Sequence, residues 1–222
     1  MNKYLKTLKT CLKLLLITVL GAVTLCVLFY FLYFLRSPHR TIPKSEELFV
    51  SPANGRVIKI IENPTADTPL YKHNHKVLDN FIEGIGSGAT LVVIMMTPFD
   101  VHYQRAPSNA TLIKQTYTPG KKKNATKNAG SLEATLQNEY NAMLFEREDG
   151  IRFRVIQIAG FLARRVVSYI KPDDKVQQGE IIGLIRFGSQ VSIIFDKNIE
   201  VLVKEGEKVI DGETILAKLK SE

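Results

Sequence analysis

The chain has little cysteine: Cys11 and Cys26 are the only two in 222 residues, and both lie in or beside an apolar leader. Everything after the leader lacks a thiol, which excludes a disulfide framework and a cysteine metal site there. Helix-period patterning is also scarce past the leader, apart from a short piece at 131–137, and no heptad stretch exists that could build a coiled coil. Acidic residues are the minority charge. Lys and Arg number 30 against 22 Asp and Glu, a net +8, with a pI near 9.4. The lysines gather at Lys3, Lys6, Lys9 and Lys13, and again at Lys121 to Lys123 and Lys127. Such clusters suit an anionic membrane lipid, at about 1 kcal/mol per cation near the surface, better than readout of bases, so no nucleic-acid partner is expected. The 121–127 run reads equally well as a solvated loop. His73 and His75 have no third ligand at suitable spacing, and no metal is expected.

The leader itself is the plainest positive signal. Leu14 to Leu35 carries no charge, and crossing the hydrocarbon core takes about 20 helical residues. A cleaved signal peptide fits less well, because its apolar region is usually roughly 7 to 15 residues and a small-x-small site follows it. Tyr30 and Tyr33 stand where an interfacial aromatic belt belongs. Four lysines precede the span while Arg36, Arg40 and Lys44 follow it, so the positive-inside count hardly separates the two orientations. A single span would put the remainder outside. A re-entrant hairpin about Gly21 would put both basic flanks in the cytoplasm.

Residues 37–47 read as a polar, proline-marked linker. The rest is rich in short β-branched runs bounded by Gly, Pro or Asp: Arg56 to Ile61, Thr90 to Met96, Arg152 to Ile158, Ala163 to Ile170, Glu180 to Ile185, Val191 to Phe195 and Thr214 to Lys220. The expectation is an all-β fold after one N-terminal hydrophobic membrane helix, with a membrane anchor at 1–36, a linker at 37–47 and one domain at 48–222. Within it, 166–185 and 199–219 share the form strand, turn, Lys-Val-x-x-Gly-Glu, strand. That unit resembles the barrel-sandwich of biotinyl and lipoyl domains. A membrane-anchored lipoyl-like adaptor is therefore a rival reading, although such adaptors carry a coiled-coil hairpin that is missing here.

Between two of the apolar runs lies Arg186-Phe187-Gly188-Ser189-Gln190. If strain and hydrogen bonds hold Ser189 Oγ against the Gly188 carbonyl, attack shifts the peptide to an ester, and β-elimination then breaks the chain. Hydrolysis of the resulting dehydroalanine leaves a pyruvoyl group, whose ketone can condense with an amine and take up the electrons released by a decarboxylation. Glycine before the break offers no side chain to block attack. Alone, Gly-Ser is a common turn dipeptide.

The surroundings add to it. Residues 157–195 resemble the C-terminal half of the phosphatidylserine decarboxylases, particularly the short form that includes archaetidylserine decarboxylases. SPANGRV at 51–57, MTPFDVHYQRAP at 96–107, PGKKKNA at 119–125 and NEYN at 138–141 are similar to family segments in the same order and spacing. The resemblance covers residues 36–222. It implies a proenzyme that cuts itself between Gly188 and Ser189, giving a β chain of 1–188 and an α chain of 189–222 that stay together as a heterodimer. The cofactor would be the pyruvoyl group made from Ser189, and the reaction the conversion of phosphatidylserine to phosphatidylethanolamine at a cell membrane, facing the cytoplasm. His102 would take the Ser189 proton and later return one to the carbanionic carbon. Asp100 would orient His102 or fix the turn after Pro98, and Arg105 would bind the substrate's phosphate or carboxylate or else pair with a core-edge acid. Asn54 departs from the pattern, since the family segment has aspartate there. An amide can hold a histidine but cannot stabilise its charged form. Slow maturation, deamidation of Asn54-Gly55, or a processing-impaired lipid-binding relative all follow from that residue.

Overall fold

The computed structural model describes residues 2–64, 82–120, 138–160, 165–186 and 189–220. The expectations for His73, His75, Lys121 to Lys123, Lys127 and the helical piece at 131–137 fall outside these residues. The chain divides into two compact units, Met1–Arg36 and Ser37–Glu222.

The first unit is α1 (Asn2–Leu28), continued by a π-helical stretch at Phe29–Phe34. The apolar part, Tyr4–Phe34, is long enough to span a bilayer. Its leucines are exposed all round, as in Leu16 and Leu20, which in water would be untenable and in lipid is the ordinary state. The hydroxyls of Thr10, Thr18 and Thr24 donate to the carbonyls four residues back, so the helix satisfies its own polar side chains. The helix passes through Gly21 without interruption, so the re-entrant hairpin is not formed: a lone glycine costs only about 1 kcal/mol in a helix interior. At the far end the rings of Phe29 and Tyr33 stack at 5.2 Å, and Arg36 lies 4.0 Å over the Tyr33 ring.

The second unit is all-β. In chain order its strands are β1 (Leu48–Val50), β2 (Gly55–Glu62), β3 (Thr90–Met96), β4 (Tyr103–Arg105), β5 (Ala110–Thr118), β6 (Tyr140–Glu146) and β7 (Arg152–Ala159). They continue as β8 (Arg165–Ser168), β9 (Lys175–Val176), β10 (Ile181–Arg186), β11 (Ser189–Phe195), β12 (Ile199–Val201), β13 (Lys208–Val209) and β14 (Ile215–Leu219). Eight of them form one sheet in the order β13-β2-β3-β11-β7-β6-β5-β9, and two three-stranded sheets have the orders β1-β14-β12 and β4-β10-β8. All pairs are antiparallel.

Both small sheets pack on one face of the large sheet. Phe49 of β1 meets Phe153 of β7 and Phe195 of β11 edge-on at 5.6 and 5.5 Å, and Phe145 stacks on Phe153 at 5.2 Å. Ile182 and Ile185 of β10 and Leu216 of β14 join Ile94, Val155, Val191 and Ile193 in the same core. The other face carries a second cluster with Leu91, Val93, Ile156 and Ile194, to which Ile85 and Ala89 contribute. Strands buried on both faces favour near-continuous apolar runs, and β11 accordingly reads Val191-Ser192-Ile193-Ile194-Phe195, with the small buried Ser192 the one polar residue of that run. Residues 37–47, which read as a linker, belong with this unit. Arg40 donates to Asp211, the Thr41 amide donates to Glu213, and Ile42 packs beside both Gly179 and Gly212.

Candidate active site

Ser189 begins β11. Its main chain lies in register between Met96 of β3 and Ala159 of β7. The preceding described residue, Arg186, ends β10 in a different sheet. The Gly188-Ser189 bond therefore falls where the chain passes from one layer to another.

Leaving Met96, β3 runs into the Thr97–Asp100 turn. The Asp100 carboxylate accepts from both the Thr97 amide and the Thr97 hydroxyl at 2.7 Å, so the carboxylate itself fixes the turn. Its carbonyl is the group that holds His102, at 2.9 Å from Nδ1. A carbonyl only accepts, so Nδ1 carries the hydrogen, and in the neutral ring the basic lone pair sits on Nε2. His102 is fully buried. Its own carbonyl takes the Ile185 N–H at 3.2 Å, which ties the histidine segment to the strand that leads toward Gly188.

Arg105, three residues on, is buried and engaged within the protein. Its Nε donates to Asp211 at 2.8 Å, Nη1 to the Gly179 carbonyl at 2.8 Å and Nη2 to the Pro38 carbonyl at 3.5 Å. Of the two roles read from the sequence, this geometry supports pairing with an acid. Asp211 is completely buried and also takes Arg40 at 2.5 Å, so one carboxylate serves two guanidinium groups. The half-buried Asn54 side chain lies against the same residue, its Oδ1 accepting the Asp211 N–H at 3.3 Å. The segments 51–57 and 96–107 are thus brought together, and main-chain bonds from Val50 to Pro107 and from Arg105 to Pro52, each 2.9 Å, close the contact.

Glu139, of the 138–141 segment, lies beside Ala159, the register partner of Ser189. Its carbonyl accepts the Ala159 N–H at 2.8 Å, and its carboxylate accepts the Val166 N–H at 2.9 Å. Partial burial and the adjacent Glu139 carboxylate raise the Tyr117 phenol above its ordinary pKa, against a smaller pull from Arg165. Asp211 was not singled out from the sequence. The signal that could have found it is the internal repeat, in which Gln178 of the first copy aligns with Asp211 of the second. Among the described residues no group of three or more His, Cys, Asp or Glu side chains could hold a metal ion.

Comparison with known proteins fits this geometry. The family model described as phosphatidylserine decarboxylase matches residues 27–217. A putative archaetidylserine decarboxylase proenzyme of Methanothermobacter thermautotrophicus is 36% identical over 203 residues, covering 90% of this chain and 85% of that protein. Phosphatidylserine decarboxylase proenzymes of Syntrophus aciditrophicus and Wolbachia pipientis are each 38% identical, over 83% and 86% of this chain and 77% and 76% of theirs. The β unit with its buried histidine is accordingly that of a carboxy-lyase. The chain belongs to the phosphatidylserine decarboxylase family.

Proposed function

We propose that the chain is a self-cleaving proenzyme that decarboxylates phosphatidylserine to phosphatidylethanolamine with a pyruvoyl group formed from Ser189. The observation that carries this reading is the position of residue 189. It starts the central strand of one sheet immediately after β10 has ended in another, with the buried His102 bonded to β10 through its carbonyl. Arg186 is laddered to Arg165, and Ser189 to Met96 and Ala159, so the described strands on either side of the bond proposed to break are both fixed.

In the cut itself His102 Nε2 accepts the Ser189 Oγ proton as that oxygen bonds to the Gly188 carbonyl carbon. The Gly188–Ser189 C–N bond breaks, the freed Ser189 nitrogen takes the proton back from His102 as an amine, and an ester takes the place of the peptide. Elimination then removes the Ser189 α-proton and expels Gly188 as a carboxylate, leaving dehydroalanine, whose imine form takes up water and releases ammonia to give the ketone. Orientation of the imidazole falls to the Asp100 carbonyl, and the Asp100 carboxylate keeps the turn that presents that carbonyl. The site fits a group generated in place: residue 189 is anchored by main-chain ladders on both sides, and the small α chain of 189–222 keeps β11 between β3 and β7 after scission. When present, the pyruvoyl ketone supplies the electron sink for decarboxylation. His102 then donates a proton to the carbon that has lost carbon dioxide. Arg105 acts at one remove, through Asp211.

The apolar helix anchors the enzyme at a bilayer, which keeps lipid substrate and site on one surface. The β unit faces the cytoplasm in this reading because the resemblance to the family implies that side; four lysines before the single span against Arg36, Arg40 and Lys44 after it do not separate the two orientations. Protease added to intact cells should then leave the 189–222 chain and the 37–188 part of the larger chain undigested, and digestion there would reverse the assignment.

Denaturing electrophoresis tests the central claim. The expressed wild type should resolve into chains of 1–188 and 189–222, and borohydride added with phosphatidylserine should label the smaller one. A full-length wild-type chain that still decarboxylates would overturn the mechanism.

A further inference from the structure

Three buried amide side chains have no part in the chemistry so far. Gln104 on β4, Gln157 on β7 and Asn141 on β6 are all at most 2% exposed. They form one directed line. Asn141 Nδ2 donates to Gln157 Oε1 at 3.0 Å, Gln157 Nε2 donates to Gln104 Oε1 at 2.8 Å, and Gln104 Nε2 donates to the His102 carbonyl at 2.7 Å. Each amide passes its donor forward and accepts from behind, so the dipoles align and strengthen one another. The remaining Gln157 hydrogen goes to the Val167 carbonyl of β8 at 3.3 Å.

The line crosses between layers. Asn141 and Gln157 belong to the eight-stranded sheet, whereas Gln104 belongs to the β4-β10-β8 sheet. Passage depends on Gly183 of β10, where a Cβ would stand 2.5 Å from Gln157 Nε2 and 2.5 Å from the Val167 carbonyl. Those two sheets are also the ones that hold β10 and β11, the strands on either side of the proposed cut. In register Gln157 faces Val191, two residues past Ser189, and Gly183 faces Gln104. A buried polar tie therefore joins the layers within a few residues of the place where the chain itself passes between them.

Packing alone does not call for this. Aliphatic side chains would fill the same space without the risk of unpaired polar atoms, and Asn141 Oδ1 has no partner among the described residues, a loss of stability in itself. Such a tie is expected where the placement of a backbone segment matters more than the depth of the energy well.

We infer that Gln104, Gln157 and Asn141 are positioning residues for self-cleavage, tying the main chain of His102 to β7, the strand beside β11, so that the imidazole is presented near the start of β11. The inference rests on the self-cleavage reading above.

Gln157→Glu tests it. The variant keeps the shape and the acceptor for Asn141, and it lacks the donor to Gln104 while its carboxyl is ionised. Burial favours the protonated acid, so acidification restores a donor. Cleavage of the folded variant should be about 100-fold slower than wild type in mildly alkaline buffer, the loss expected of a catalytic group displaced by about 1 Å. The ratio to wild type should narrow as the pH falls, although both rates decline as His102 protonates. Gln104→Glu follows the same logic on the next amide and serves if the first variant does not fold, and Gln104→Met should be slow at every pH. Rates are taken on the folded fraction, measured by thermal unfolding. Wild-type cleavage in alkaline buffer, or a rate ratio flat across pH for the glutamate variants, overturns the inference. A wild-type chain that is never cut overturns the self-cleavage reading instead.

Discussion

Residues 166–185 and 199–219 are two copies of one unit used for different ends. In each, a strand leads through a left-handed residue, Asp173 (φ 75°) or Gly206 (φ 88°), to a Lys-Val strand at one outer edge of the large sheet. A left-handed glycine, Gly179 (φ 82°) or Gly212 (φ 75°), then turns the chain into a longer strand, β10 or β14. Even the partners correspond: the Gly179 amide donates to the Ala106 carbonyl and the Gly212 amide to the Ser51 carbonyl, both at 2.8 Å. The copies part at two places. Gly183 of β10 aligns with Leu216 of β14, which is fully buried in the core. Gln178, whose amide donates to the Leu48 and Pro107 carbonyls, aligns with Asp211, which holds two arginines. One copy fills its strand with an aliphatic side chain and braces the linker. The other leaves an opening for a polar tie and delivers the chain to the crossing at 187–188.

That contrast can be broken at several points. The largest effect belongs to Ser189→Ala, which should abolish both chain scission and decarboxylation, read by denaturing electrophoresis and by release of carbon dioxide. Asp211→Gln, which copies the first repeat into the second, removes the carboxylate between Arg40 and Arg105. Because breaking a buried pair strands the remaining charge, a loss of about 3–5 kcal/mol is expected in urea unfolding of the uncut Ser189→Ala background. Leu216→Ala in that background should cost about 2–5 kcal/mol through the cavity it leaves. The reciprocal change, Gly183→Ala, should cost about 1–3 kcal/mol by overpacking against Gln157 and Val167, and in the otherwise wild-type chain should slow scission more than Leu216→Ala does. Equal slowing by the two would mean that the copies do not differ in function.

The smallest effect lies outside both copies. The hydrogen bond and charge of Lys114 hold the Glu83 carboxyl below its ordinary pKa. A depressed carboxyl stabilises the fold above its unfolded pKa and loses that contribution as the pH falls through the folded value. Lys114→Ala should therefore return the Glu83 titration, followed by NMR, to the ordinary range. Any stability difference from wild type should be slight near neutrality, since the pair is exposed, and should vanish in acid.

Much of the β unit was legible because its strands obey simple rules. Thr90 to Met96 and Val191 to Phe195 are β-branched runs closed by turns, and they pair with each other as β3 and β11. Among the strands that escaped that reading, three are instructive. β6 is Tyr-Asn-Ala-Met-Leu-Phe-Glu, built largely from residues equally at home in a helix, and only its place between β5 and β7 makes it a strand. β5 has its short apolar positions broken by Lys114 and Gln115, and β4 is three residues inside a motif that reads as a loop. The segments of the candidate site were legible, because Gly-Ser and Asp-Val-His sit among recognisable neighbours. Asp211 and the amide line were not, because a buried polar group is justified only by partners far away in the chain: Asp211 meets Arg105 across 106 positions and Gln157 meets Gln104 across 53.

β11 stands fourth in an eight-stranded order, with neighbours on both flanks along its whole length. The proposed nick at its first residue would consequently expose no raw strand margin, the feature that invites fusion with another molecule. Release of 189–222 would require two ladders to part at once, so subunit exchange between mature molecules should be negligible. Mixing heavy-isotope and ordinary enzyme, then weighing the native particles, should return the two parental masses and no hybrid.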